Sequence, residues 1–238
     1  MKPQKVVLVT GGSRGIGAAI ARVFAAAGYQ VAVNYRKSRA DAMKVAAAFG
    51  GIAVKGDVGK GADALIDGVV KALGRLDVLV NNAGASDPAA WSGGLDGVTD
   101  EMWDRILDTD LRGTFRCCRA AARVMKKGKI INVTSIPALT GEREGIVYSV
   151  AKAGVLGMTK SLAMLLAPRI QVNCMALGSV ETGWVEWLTP AQRKSYASAI
   201  PVGRFGKPDE VGQLALFLAE SDWVTGQTYV LDGGEARV

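Results

Sequence analysis

The 238-residue sequence predicts an α/β fold, a single domain built on a doubly wound parallel sheet of about seven strands with helices on both faces. Three observations predict it. Seven short runs rich in β-branched residues recur along the chain, mostly separated by helix-length segments, the order that parallel strands with crossover helices require. A composition of 49% hydrophobic residues with 30 glycines suits a globular core with many tight turns. The length fits one large domain, since α/β folds commonly run to this size undivided.

In chain order, the strands are expected at VVLVT (6–10), QVAVNY (30–35), GIAVKG (51–56), LDVLVN (76–81), KIINVTS (129–135), IQVNCM (170–175) and TYVLD (228–232). Between them, helices are expected near 16–27, 39–49, 61–73, 99–126, 149–166 and 208–219, with a Gly or Pro close to most ends, as at Gly28 and Pro168. Uncharged apolar stretches such as Val23 to Tyr35 fall short of the roughly 18 residues a membrane helix needs. VVLVT begins too early to leave room for a signal peptide, so a cytoplasmic protein with no membrane partner is expected.

Composition also bounds the chemistry. The chain has no histidine, which excludes a Ser-His-Asp triad and His-ligated zinc. Acid–base work must fall to Tyr, Lys, Cys or carboxylates. Cys117, Cys118 and Cys174 follow no metal-ligand spacing, so they read as inert core thiols and no metal site is expected. Net charge is +7, but the basic residues are dispersed and only KKGK, Lys126 to Lys129, approaches a cluster. Nucleic acid is therefore not the expected partner; an anionic cofactor or acidic partner explains the charge as well.

In doubly wound sheets, ligands sit beyond the carboxyl ends of the strands. The first strand runs into TGGSRGIG, Thr10 to Gly17, and then into an alanine-rich helix. Glycines here let the backbone approach a pyrophosphate, and the helix N-terminus offers it unpaired N–H groups. Gly11, Ser13, Arg14, Gly15, Ile16 and Gly17 are the candidate contacts; a structural turn is the alternative. The second strand ends in NYRKSR, with no carboxylate before Asp41 to accept from a ribose 2′-hydroxyl. Arg36, Lys37, Ser38 and Arg14 suit a 2′-phosphate instead, so NADP(H) is favoured over NAD(H) unless these cations are only solvated.

VYSVAKAG, Val147 to Gly154, places a phenol and an amine four residues apart, on one face of a helix. With TGxxxGxG (Thr10, Gly11, Gly15, Gly17), NNAG (Asn81 to Gly84), Ser135, YxxxK (Tyr148, Lys152) and VLDGG near the C-terminus, the chain resembles the short-chain dehydrogenase/reductase family over nearly its whole length. The resemblance implies a Rossmann-type domain that moves hydride between nicotinamide and a carbonyl or alcohol carbon. It further implies that Asp57 and Val58 contact adenine, that Asn81, Ala83 and Gly84 line the ribose side, and that Gly178, Val180 and Thr182 approach the nicotinamide carboxamide.

Tyr148 would then donate a proton to the substrate oxygen, Ser135 would orient that oxygen, and Lys152 would tune the phenol and hold the nicotinamide ribose. Bringing a free phenol near neutrality takes roughly 4 kcal/mol, which an ammonium about 4 Å away supplies at an effective dielectric near 20. Two positions depart from the family pattern. Asp110 stands where an asparagine usually holds a water behind the lysine, and Leu177 stands where a proline usually precedes Gly178.

Between Gly178 and Pro208, a substrate lid at 179–207 is expected, with Trp184, Val185, Trp187, Leu188 and Tyr196 as its apolar face unless they pack elsewhere. With Arg193, Lys194 and Arg204 nearby, such a lid would suit a thioester on an acidic carrier protein or coenzyme A, pointing to 3-oxoacyl thioester reduction. An alcohol or sugar dehydrogenase and a cofactor-binding scaffold with impaired catalysis are the other readings. The family commonly forms homotetramers, with helices 99–126 and 149–166 as the expected interface.

Overall fold

The computed structural model describes residues 4–85, 94–183, 185 and 188–236. Among the described residues, seven strands form one sheet: β1 (Val6–Val9), β2 (Gln30–Tyr35), β3 (Ile52–Lys55), β4 (Val78–Asn81), β5 (Gly128–Ser135), β6 (Ile170–Leu177) and β7 (Thr228–Leu231). Their spatial order is β3-β2-β1-β4-β5-β6-β7, and every pairing is parallel. The chain winds from β1 to one edge, returns to β4, and winds to the other edge. This leaves a crevice beyond the carboxyl ends of β1 and β4, where the winding direction reverses.

β1 shows why its sequence is an unbroken apolar run. Val7 and Val9 enter one core with Ile20 and Phe24 of α1 (Gly15–Ala26) and Ala215 and Leu218 of α9 (Pro208–Glu220). Val6 and Leu8 enter the opposite core with Leu65 and Ile66 of α3 (Ala62–Leu73) and Cys117 and Cys118 of α5 (Thr114–Val124). Alternate residues face opposite sides, and both sides are covered. α2 (Arg39–Ala47) covers β2 on the first side, with Ala42 and Ala46 in that core.

The helix expected over 99–126 is interrupted. α4 (Asp100–Ile106) passes into a wider π-helical turn, Leu107–Gly113, before α5 begins. Such widened turns recur at functional sites because they re-aim side chains. Here the Thr114 hydroxyl donates to the Asp110 carbonyl at 2.7 Å, and the Leu111 side chain fits where Gly154 of α7 (Ile146–Leu166) has no Cβ.

Two unexpected helices appear, α6 (Pro137–Thr140) and α8 (Pro190–Ala199). α8 begins with a reciprocal cap: the Thr189 hydroxyl accepts from Gln192 N at 3.2 Å, and Gln192 Oε1 accepts from Thr189 N at 2.9 Å.

Length and mean hydropathy alone would let α7 cross a bilayer. In this fold it buries Val147, Ala151 and Val155 in the protein and carries the buried Lys152. KKGK does not present a continuous basic patch, because Lys129 is buried in β5 and its Nζ donates to Asp222 Oδ1 at 2.9 Å.

Candidate active site

A cavity of about 1020 Å³ opens beyond the carboxyl ends of the central strands. Gly11, Ser13, Arg14, Gly15, Ile16 and Gly17 line it from the β1–α1 loop, Arg36 from the end of β2, and Asp57 and Val58 from beyond β3. Ala83 and Gly84 line it after β4, and Thr182 after β6. The loop is shaped for a ligand backbone. Gly15 has φ of 53°, and a Cβ on Gly17 would lie 2.4 Å from the Gly11 carbonyl oxygen and 2.6 Å from Asn82 Nδ2. Arg14 caps α1 without a side-chain hydrogen bond, and the first turn carries no acid, so the positive end of the helix is not neutralised from within. A dinucleotide pyrophosphate fits that arrangement.

The neighbouring motif is locked to this loop. The Thr10 hydroxyl accepts from Asn82 N at 3.0 Å and Ala83 N at 3.1 Å, while Asn82 Nδ2 donates to the Thr10 and Gly11 carbonyls. Asn81, expected beside the ribose, turns its side chain inward instead. It donates to Asn132 Oδ1 at 2.9 Å, and Asn132 donates to Thr159 Oγ1 at 2.9 Å, a buried network that ties β4, β5 and α7 together.

At the end of β2 the side chain in the crevice belongs to Asn34. Its Oδ1 accepts from Gly11 N at 3.2 Å and its Nδ2 donates to the Gly56 carbonyl at 3.0 Å, bracing the glycine loop against the segment after β3. Tyr35, Arg36, Lys37 and Ser38 follow it along the cavity wall. Arg36 lies 4.0 Å from Asp57 Oδ2, while Asp57 Oδ1 accepts from Gly59 N at 2.9 Å.

The residues expected to handle the proton, Ser135, Tyr148 and Lys152, do not line this cavity. Ser135 ends β5, and its hydroxyl donates to the Leu177 carbonyl at 3.1 Å. Tyr148 lies in the first turn of α7 and Lys152 one turn on, its Nζ 5.5 Å from the Tyr148 ring centroid. That Nζ donates to the Val133 carbonyl at 3.3 Å and lies 3.3 Å from Asp110 Oδ2. Asp110 is fully buried, and its Oδ1 accepts from Ala85 N at 2.6 Å.

Burial pushes the Lys152 ammonium toward the neutral form, but the Asp110 charge, with Tyr148 and the Asp110 hydrogen bond, outweighs it. The net shift is upward, so Lys152 is a cation at neutral pH. The cysteines take no part: burial pushes Cys117 and Cys174 up to about 12 and raises Cys118 as well, so all three stay as thiols.

Gly84 joins the two halves of the site. It lines the cavity, and a Cβ there would lie 3.1 Å from Asp110 Oδ2. The π-helical turn works similarly, presenting Thr109 to the cavity and Asp110 to Lys152. Gly178 and Val180 do not line the cavity. Val180 is buried in the core, and Gly178 packs against Asp232.

Of the expected lid face, Val185 is buried with Ile200 and Phe205 while also lining the cavity, and Leu188 packs on that cluster. Tyr196 is half exposed, contrary to an inward apolar role, because α8 buries none of its own residues. Trp184 and Trp187 lie outside the described residues. Glu181, Gly183 and Arg193 also line the cavity. Arg193, expected as a cation beside the lid, reaches the cavity from α8, where it forms an ion pair with Glu181.

This sheet, crevice and glycine loop define a Rossmann-type dinucleotide-binding protein. The sequence family described as Enoyl-(Acyl carrier protein) reductase matches residues 11–235. A 3-oxoacyl-[acyl-carrier-protein] reductase of Synechocystis is 40% identical, covering 97% of this chain and 96% of that protein. The Thermotoga maritima 3-oxoacyl-[acyl-carrier-protein] reductase FabG is also 40% identical, with 97% of each covered. A short-chain dehydrogenase/reductase variant of Serratia marcescens superposes with a TM-score of 0.90 at 33% identity, over 99% of this chain and 100% of that one. A putative short-chain dehydrogenase/reductase of Burkholderia xenovorans gives 0.89 at 30% identity, with both chains fully covered. The chain belongs to the short-chain dehydrogenase/reductase family, and its relatives mark it as an oxidoreductase acting on carbonyl or hydroxyl groups.

Proposed function

We propose that this protein is a cytoplasmic NADPH-dependent carbonyl reductase whose substrate is a 3-oxoacyl thioester. The observation that carries the reading is the half-buried Tyr148 beside the buried Lys152–Asp110 pair, joined through Gly84 to a cavity shaped for a dinucleotide. The N-terminal turn of α1 would hold the pyrophosphate, with Arg14, Arg36, Lys37 and Ser38 around a 2′-phosphate. Bound nicotinamide would supply hydride to the carbonyl carbon.

The chain's own residues handle the proton. Tyr148 gives its phenolic proton to the carbonyl oxygen, and the Lys152 ammonium stabilises the phenolate left behind. Ser135 turns its hydroxyl from the Leu177 carbonyl to the substrate oxygen, a second donor to the charge developing there. Asp110 acts through Lys152, holding it in place and charged.

The thioester rests on the names of the curated relatives, with Arg193, Lys194 and Arg204 supplying cations beside the cavity for an anionic carrier. A homotetramer goes with the same reading, and the exposed Trp103, Phe115 and Val150 on α4, α5 and α7 support it.

The test is NADPH and NADH oxidation by purified protein against a carbonyl panel including acetoacetyl thioesters, with Tyr148→Phe as control. NADPH turnover lost in the variant is expected; equal turnover by the variant refutes the assignment. A crotonyl thioester in the same panel tests enoyl reduction, which the matching family's description names. Faster alcohol oxidation would favour a dehydrogenase. NADPH binding without turnover would favour a scaffold protein in which Asp110 has disabled the chemistry.

A further inference from the structure

Beyond β7 the chain folds into a tight turn, Asp232 to Ala236. The Asp232 carboxylate accepts from Gly234 N at 2.8 Å and Ala236 N at 2.7 Å. Gly233 and Gly234 have φ of 65° and 87°, and a Cβ on either would come within 2.9 Å of Ile200 or 3.0 Å of Pro201. The turn is therefore pressed onto the segment leaving α8, where Val202 N donates to the Gly233 carbonyl at 3.1 Å.

This geometry aims Glu235 back at the loop after β6. Glu235 Oε2 accepts from Ser179 N at 2.7 Å and Oε1 from Ser179 Oγ at 2.8 Å. Gly178 makes room for the approach, since a Cβ there would lie 2.6 Å from Asp232 Cβ and 2.8 Å from Glu235 Oε2. Two bonds from one carboxylate hold both the backbone and the hydroxyl of a single residue. Three and four residues further on, Thr182 and Gly183 line the cavity. Leu177, the last residue of β6, is paired with Ser135 and Leu231, so the loop leaves the sheet at Gly178.

We infer that Glu235 is a positioning residue that holds the nicotinamide-side wall of the cofactor cavity through Ser179, restraining the loop after β6 from a segment 56 positions away in the chain. The inference rests on the reading of the cavity as a nicotinamide dinucleotide site. A charged acceptor making two short hydrogen bonds to one loop residue restrains it strongly. Glutamine can keep both bonds, accepting from Ser179 N and donating to Oγ, whereas alanine loses both.

The test measures binding of NADPH and of adenosine 2′,5′-bisphosphate, which has the adenosine half alone, to wild type, Glu235→Gln, Glu235→Ala and Ser179→Ala. Glu235→Ala should weaken NADPH about tenfold, a loss of about 1.4 kcal/mol, and leave the bisphosphate within about twofold of wild type. Ser179→Ala, which keeps the backbone bond, should fall between, and Glu235→Gln should stay within about threefold of wild type. Equal weakening of both ligands, or NADPH affinity unchanged in Glu235→Ala and Ser179→Ala, overturns the inference. Ser179→Ala decides it if Glu235→Ala does not fold. Wild type binding neither NADPH nor NADH would instead refute the proposed function.

Discussion

Asp110→Asn removes a buried charge while nearly preserving shape. Asp110 now gives one oxygen to Ala85 N at 2.6 Å and the other to Lys152 Nζ at 3.3 Å. An asparagine has one acceptor oxygen, so its NH₂ must face one of these donors. At 3.3 Å the charge pair is worth about 5 kcal/mol at an effective dielectric near 20, partly offset by desolvation of both groups. Even a third of that, about 1.7 kcal/mol, exceeds one pH unit.

Lys152 lies above its ordinary value in the folded protein because Asp110 outweighs burial. Its ionisation therefore supports the fold fully below the ordinary lysine range, and that support fades as pH rises through the raised folded value. Without Asp110, burial dominates and the direction reverses, so the variant should be least stable at neutral pH and recover toward pH 10 as Lys152 loses its proton. On the proposed mechanism, carbonyl reduction needs a charged Lys152 and a protonated Tyr148. Deprotonating Lys152 earlier, or exposing the phenol to its uncancelled field, moves the alkaline limb of the rate profile in the same direction. Reduction rates and urea denaturation from pH 6 to 10 should show that limb about one unit lower and stability reduced by about 3 kcal/mol at pH 7. An alkaline limb and a stability unchanged across that range would refute the argument and leave Asp110 a spacer.

Tyr148→Phe should lower reductase turnover at least about a hundredfold while NADPH binding, followed by fluorescence, stays near wild type. Arg36→Ala should raise KM for NADPH about tenfold and leave KM for NADH nearly unchanged; equal effects on both would place Arg36 outside the 2′-phosphate site. Gly17→Ala should lose about 1–3 kcal/mol of stability and most cofactor affinity, read by thermal melting and NADPH titration, because its Cβ would meet Gly11 O at 2.4 Å. Phe115→Glu should break the proposed tetramer into smaller species by light scattering, and an unchanged mass would move the interface off α5.

All seven strands were legible in the residues, and their observed limits differ from the expected ones by at most two residues at either end. A strand buried on both faces must be a β-branched or apolar run, and such runs are local. The glycine loop was equally legible, since the space Gly17 leaves is written into the residue itself. The cap that starts α8, Thr189 with Gln192, stands in the chain as TPAQ, although the segment reads only as a substrate lid.

Composition and local pattern by themselves determined the sheet, the glycine loop that opens α1, the absence of histidine chemistry and the pairing of a phenol with an amine one helical turn away. Only the tertiary structure decided that Asn81 turns inward to Asn132, that a π-helical turn delivers Asp110 to Lys152, and that Glu235 reaches back across 56 positions to Ser179. The physical reason is range. Strand propensity and glycine geometry act between neighbours in sequence, whereas a buried carboxylate finds its partner only after the sheet has set the distance between elements remote in the chain.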